Sequence, residues 1–256
     1  MLTEPDAGSD AAALKTRATR VDGGWKLNGS KAWITNGGVG RYFVTMARTD
    51  PDKGKKGISA FILDADQPGV VMGRPEEKMG LRSSKTVMVA LEDAFVPEDA
   101  MLGRPGDGLK VAFGGLDGGR IGIAAQALGI AHRAMDESVA YAKARISFGK
   151  PIGEHQMIQT YLAEMEARLQ ASRLLVYRAA SLKEAGRPCT VEAATAKLFT
   201  TESAVWLCDR AVQIHGGYGY SREYLVERLY RDVRVTTIYE GTSEIQRMVI
   251  ARELLK

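Results

Sequence analysis

The sequence predicts an α+β chain in two parts: an antiparallel β-sheet or barrel over residues 1–97, then an up-down helical bundle over residues 98–256. Three observations carry that prediction. Short β-branched and aromatic runs bounded by Gly, Pro or Asp fill the first part, and no helical repeat separates them, which disfavours parallel βαβ units. From about Gly108 the hydrophobic period changes to three and four residues. Between the two lies "VPEDAMLGRPGDG", rich in the residues that interrupt regular structure.

The elements follow in order. "LKTRATRV" and "WKLNGSKAWIT" flank Asp22-Gly23-Gly24, a hairpin signal. "RYFVTMART", "GISAFILD", "GVVMG" and "TVMVALEDAFVP" supply the remaining strands. A first long helix is predicted from about Leu109 to Arg145. A second carries the stripe Ile158, Tyr161, Leu162, Met165, Leu169, Ser172, Val176 and Ala179, with Gly186 and Pro188 as its stop. Ala194, Leu198, Thr201, Val205, Cys208 and Val212 mark a third, which ends in "HGGYGY". A shorter one includes Leu225, Val226 and Leu229. The last begins at "TSEIQ", where Ser243 and Gln246 have capping-box spacing, and continues through Met248 and Val249. Several long helices with apolar stripes make a bundle.

Composition narrows the function classes. At 256 residues with 45% hydrophobic and 26% charged content, the chain can build a real core. The net charge of +4 is spread along the chain, with no basic tract or interleaved aromatics, which argues against a nucleic-acid partner. His132, His155, His215, Cys189 and Cys208 have no metal-ligand spacing, so no metal site is expected, and so few cysteines suit a reducing compartment. No apolar run reaches the ~18 residues of a membrane span. "MLTEPDAGSD" does not have the pattern of a signal peptide, so none is expected there, and its turn formers and acids read like the interior of a domain.

Taken singly, the chemistry-bearing stretches are ambiguous. The sequence has neither a P-loop nor a G-x-G-x-x-G fingerprint. "GGLDGGRIG" and "IHGGYGY" fit close helix crossings or helix caps as well as ligand sites. "LTEPDAGSD" fits a polar loop, and "AWITN" a strand end with a core Trp. Glu240, in "TIYEGTSEIQ", fits either a solvated acid at a helix start or a base held on a kink with open space before it.

Together and in this order, the stretches are more specific. "LTEPDAGSD", "KAWITNG", "KMGLRSSKTVMVALEDAFVPEDAMLG", "LDGGRIGIAAQALGIA", "RISFGKPIGEHQMIQ", "QIHGGYGY" and "YRDVRVTTIYEGTSEIQ" resemble the acyl-CoA dehydrogenase family, most closely its short-chain, butyryl-CoA-type members. The resemblance covers essentially all 256 residues and begins at that family's middle β-domain. Full-length members carry an all-helical domain ahead of it, one wall of the acyl and flavin clefts.

The resemblance implies an FAD enzyme. Thr3 and Ser9 would contact flavin or nucleotide, Trp33 and Ile34 would lie beside the isoalloxazine ring, and Thr35 would hydrogen-bond near it. Arg145, Phe148 and Gln156 would hold the pyrophosphate and adenine end. Gln213, Gly216 and Gly217 would serve the FAD of a neighbouring subunit, so a homodimer or homotetramer is implied. Thr242 and Glu244 complete the cofactor set. Ser9, Asp117, Arg120 and Gly241 would lie near the acyl-CoA. An Arg suits pyrophosphate because its planar donors pair with anionic oxygens in a bidentate manner.

By the same resemblance, Glu240 is the base that removes the α-proton of the acyl thioester while FAD N5 takes the β-hydride. Its pKa in water would be near 4.3, too low for so weak a carbon acid, and an apolar acyl chain that expels water raises it. Isovaleryl-type members carry the base at the position of Gly119, which cannot act as one, so the resemblance favours the straight-chain arrangement here. The implied activity is α,β-dehydrogenation of a short-chain acyl-CoA to the trans-2-enoyl-CoA. An electron-transferring flavoprotein would be the acceptor, in a bacterial cytoplasm or a mitochondrial matrix. The alternatives are an acyl-CoA oxidase and a flavin-binding module with little turnover, the latter because a cleft lacking one wall would admit water.

Overall fold

The computed structural model describes residues 1–256, which form two compact units, Met1–Gly115 and Leu116–Lys256. The first is built on one seven-stranded sheet. Its strands are β1 (Arg17–Val21), β2 (Gly24–Thr35), β3 (Tyr42–Arg48), β4 (Ile58–Asp64), β5 (Val70–Pro75), β6 (Thr86–Pro97) and β7 (Met101–Leu102), in the order β5-β6-β2-β1-β3-β4-β7. The β1–β2 hairpin turns at Asp22-Gly23, where Gly23 takes a φ of +74° that an L side chain resists. All pairings are antiparallel except one. β2 is bonded along both edges, to β1 and to β6, so the next strand, β3, must use the free edge of β1 and joins it in parallel through Arg17 and Arg48. The alternating inward residues Leu27, Phe61, Leu63, Val87, Val89 and Val96 form the core of the sheet.

The short helix α1 (Gly108–Gly114) belongs to this unit, because Gly108 seats directly on the β4 backbone. The sequence reading divided the chain after residue 97, whereas the compact units divide after Gly115: β7 pairs with β4, and α1 packs on the same strand. The helix predicted over about 109–145 is two helices, because consecutive glycines, Gly114 and Gly115, weaken it at that point.

The second unit comprises α2 (Leu116–Ala144), a small hairpin of β8 (Ile146–Ser147) and β9 (Lys150–Pro151), α3 (Gln156–Glu184), α4 (Thr190–His215), α5 (Leu225–Val233) and α6 (Ser243–Leu254). Met165, Leu169, Ser172, Val176 and Ala179 bury one stripe of α3, as its periodicity predicts. Helix α4 differs. It packs against α2, α3, α5 and α6, so it is buried on nearly all sides, and its small residues Ala193, Ala196, Ala204 and Ala211 allow that approach. Lys197 and Thr200 share that buried surface.

The start of α6 differs from the predicted capping box by one residue. Thr242 is the N-cap, its hydroxyl accepting from Ile245 N at 3.3 Å, while Ser243 is already helical and its buried Oγ has no partner. Gln246 is therefore free to turn its amide toward residues 240 and 241. No helix is long and apolar enough to cross a membrane, and no group of three or more His, Cys, Asp or Glu could hold a metal ion.

Candidate active site

Six non-glycine residues have positive φ, and three of them are candidate site residues: Trp33 (+58°), Phe148 (+49°) and Glu240 (+54°). Side chains resist that conformation at a cost of about 1–3 kcal/mol each, and such residues concentrate at functional sites.

In the first unit, Trp33 sits where the β2–β6 register shifts between Lys31 and Ile34. That irregularity turns the indole outward, 61% exposed, so it is not a core Trp. The side chain of Ile34 points the other way, 6% exposed in the sheet core, which leaves only its backbone for any ligand. The loop carrying Thr3 and Ser9 is fastened to the same strand, with Ala32 N donating to Thr3 O at 2.9 Å. Beneath it, Glu4 and Lys31 form a buried ion pair at 2.7 Å, and the Glu4 carboxylate also accepts from Thr16 N and Lys15 N. Burial works to raise the Glu4 carboxyl, but Lys31, Thr16 and Lys15 together hold it below the ordinary range. Ser9 and Thr35 are exposed beside this platform.

In the second unit, "RISFG" and "QIHGG" meet. Tyr141, Arg145, Ser147, Gly216, Gly217 and Tyr218 line a cleft of about 450 Å³. The Arg145 guanidinium lies over the Tyr218 ring at 5.5 Å, and Tyr141 stacks on the buried His215 at 4.2 Å. Phe148 and Gly149 (φ +78°) form the tight turn between β8 and β9, which leaves the Phe148 ring 94% exposed. Gln156 opens α3 and is exposed, and Gln213 is exposed in the last turn of α4. Gly216 ends that helix with φ +59° and open space around it, and no Cβ covers its backbone.

A second cluster surrounds Glu240. Its carboxylate is exposed to solvent and lies over Gly119 of α2: a Cβ at Gly119 would clash with Oε2 and come within 3.1 Å of Cδ. Three helices hold the segment in place. Tyr239 Oη donates to Gln126 of α2 at 2.6 Å, Lys197 Nζ of α4 donates to Gly241 O at 2.7 Å, and Gln246 Nε2 of α6 donates to the same carbonyl at 2.8 Å. A hydrogen bond from a charged group contributes about 1.5–3 kcal/mol, enough to offset the left-handed geometry of Glu240. Glu244 is exposed in the first turn of α6, where its own backbone N–H and the Thr242 hydroxyl hold its carboxyl below the usual range.

Asp117 and Arg120 are engaged with their own unit. Arg120, only 6% exposed, donates to Asp117 Oδ1 at 3.0 Å, and Asp117 Oδ2 accepts from Thr190 at 2.8 Å. The guanidinium that the sequence reading placed near acyl-CoA is therefore buried in an ion pair in this unit. Sequence reasoning also passed over Lys197, Gln126 and Tyr239. For Lys197 a signal existed: it falls at helical spacing in the series Ala193, Lys197, Thr200, Ala204, an apolar and small-residue stripe.

Comparison with known proteins matches residues 1–94 to the acyl-CoA dehydrogenase middle domain and residues 106–255 to the acyl-CoA dehydrogenase C-terminal domain. The chain belongs to the acyl-CoA dehydrogenase family. It is 51% identical to an acyl-CoA dehydrogenase of Bacillus subtilis over 254 residues, and 50% identical to a short-chain specific acyl-CoA dehydrogenase of Megasphaera elsdenii over 256 residues. These alignments cover 99% and 100% of this chain and 67% of each relative. The solved butyryl-CoA dehydrogenase of Megasphaera elsdenii superposes with a TM-score of 0.97 at 49% identity, covering all of this chain and 67% of that one. The chain thus spans about two thirds of the length of these relatives.

Proposed function

We propose that this chain binds FAD and takes part in the α,β-dehydrogenation of a short-chain acyl-CoA, with Glu240 as the base. The observation that carries the reading is the Glu240 carboxylate itself, an exposed acid held in a left-handed backbone conformation over a glycine by bonds from three helices. A solvated surface acid needs none of that construction. The short-chain specific relative and the butyryl-CoA dehydrogenase structure support the substrate class.

The residues fit the cofactor. The outward Trp33 ring offers a flat apolar surface, Arg145 beside Gly216 and Gly217 offers a cation and uncovered backbone to a pyrophosphate, and the exposed Phe148 ring suits an adenine face. FAD, when bound, supplies the acceptor for the hydrogen and electron pair that leave the β-carbon. The chain supplies the proton transfer. The Glu240 carboxylate takes the α-proton, the C–H pair becomes the Cα=Cβ bond, and Gly119 and Gly241 leave space for the thioester beside the base. An apolar acyl chain that displaces water from Glu240 strengthens it as a base.

We further propose that "RISFG" and "QIHGG" act as one patch toward the nucleotide end, because they share one cleft. The protein would act as a homo-oligomer in which Gln213, Gly216 and Gly217 serve a partner's FAD, and an electron-transferring flavoprotein would receive the electrons. Exchange of butyryl-CoA α-protons with deuterated solvent, followed by NMR on the flavin-loaded chain, tests the reading. Glu240→Gln should lower exchange by about 10²–10⁴-fold with flavin retained; exchange that survives would assign the proton to another residue.

A further inference from the structure

We propose that Lys197 is a positioning residue for Glu240: from α4 its ammonium, with the Gln246 amide, grips the Gly241 carbonyl and so fixes the left-handed Glu240–Gly241 pair that places the carboxylate over Gly119. The inference rests on the reading of Glu240 as the base. Three features support it.

The first is placement. Lys197 is fully buried, yet its one hydrogen bond runs to the residue after Glu240 and to no carboxylate. A buried ammonium without a salt bridge is costly, so its position calls for a role other than helix packing. Second, the backbone it holds is left-handed at both residues, strained at Glu240 (φ +54°) and tolerated at Gly241 (φ +85°) only because it is a glycine, and Gln246 Nε2 bonds both carbonyls, at 3.2 and 2.8 Å. The two donors therefore act on the segment whose geometry aims the carboxylate.

The third is electrostatic. Burial first, and then Arg120 of α2, bring the Lys197 ammonium down to about 8, while Glu240, Glu244 and Glu202 act in the opposite sense. Those four are the charged groups that face it from α2, the 239–242 segment, α6 and its own helix. The grip on Gly241 is then charge-assisted at neutral pH and weakens as the amine loses its proton.

The test reads the Glu240 backbone directly. Glutamate-selective ¹³C and ¹⁵N labelling of the flavin-loaded chain gives its Cα and Cβ shifts, which report positive φ, and loss of the signal in Glu240→Gln assigns it. In the unsubstituted chain the shifts should move with a midpoint near 8. In Lys197→Met they should lose the left-handed signature at all pH values, and α-proton exchange should fall about tenfold or more with flavin content unchanged. Lys197→Gln replaces Lys197→Met if the latter does not fold. Shifts that neither titrate near 8 nor change on substitution would overturn the proposal, whatever the exchange rate. Undiminished exchange in Glu240→Gln would instead overturn the assignment of the base, so the two failures are separable.

Discussion

Glu240 and Gly119 compete for one space. The carboxylate occupies the volume that any side chain at Gly119 would need, and a Cβ there would meet Oε2 and lie 3.1 Å from Cδ. Gly119→Ala should therefore act on the base alone. The clashing atoms are the mobile end of an exposed side chain, so the fold can yield cheaply, and alanine's higher helix propensity inside α2 adds about 0.5–1 kcal/mol, so stability should hold or rise slightly. The displaced carboxylate should cost about tenfold to a hundredfold in α-proton exchange. Thermal unfolding and exchange, measured on the same preparation, check both halves. A large loss of melting temperature with unchanged exchange would contradict the geometry.

Phe148 separates ligand binding from folding. Its ring is 94% exposed and sits on a tight turn, so Phe148→Ala removes almost no buried surface. The melting temperature of the flavin-free chain should hardly move. If the ring stacks on the nucleotide end of FAD, its loss costs about 0.5–1.5 kcal/mol of affinity, a few-fold to tenfold in Kd. Calorimetric titration with FAD provides the measurement.

The buried Glu4–Lys31 pair makes a prediction about the loop bearing Thr3 and Ser9. Lys31→Met strands a buried carboxylate and should cost about 3–5 kcal/mol in urea unfolding of the sheet unit. Adding Glu4→Gln removes the stranded charge and keeps an acceptor for Thr16 N, so the double variant should recover part of the loss. Equal stability in the two variants would show that the pair is not coupled.

Lys197 also predicts a pH dependence of stability. Its ordinary value is 10.5 and burial lowers it to about 8, so between those values the unfolded chain binds more protons than the folded one. Its contribution therefore makes folding more favourable as pH rises from about 8 to 10.5, and the cost of the buried charge is felt below that window. Cys208 acts oppositely at the upper end: burial first, and then Asp232, push its thiol up to about 12 from 9.0, so the unfolded chain ionises first. The difference in stability between the unsubstituted chain and Lys197→Met, followed across this range, isolates the lysine. A flat difference would mean that the folded-state amine keeps its ordinary value of 10.5, as a hydrated ammonium would.

Much of this protein is legible along the chain because the relevant signals are local. The period of two in "TVMVALEDAFVP" and the stripe from Met165 to Ala179 depend on neighbours a few residues apart, and both became the elements they predicted. The order of the motifs, from "LTEPDAGSD" to "YEGTSEIQ", likewise determined the family. Tertiary structure decided what depends on separations no local pattern encodes. It turned Trp33 outward at a register shift, buried Arg120 against Asp117, and moved the α6 cap to Thr242. It also brought Gly119, Lys197 and Gln246, from three different helices, around Glu240. The physical reason is that a helical period specifies which face is buried but not which helix covers it. The covering contacts at Gly119 and Lys197 are what aim the carboxylate.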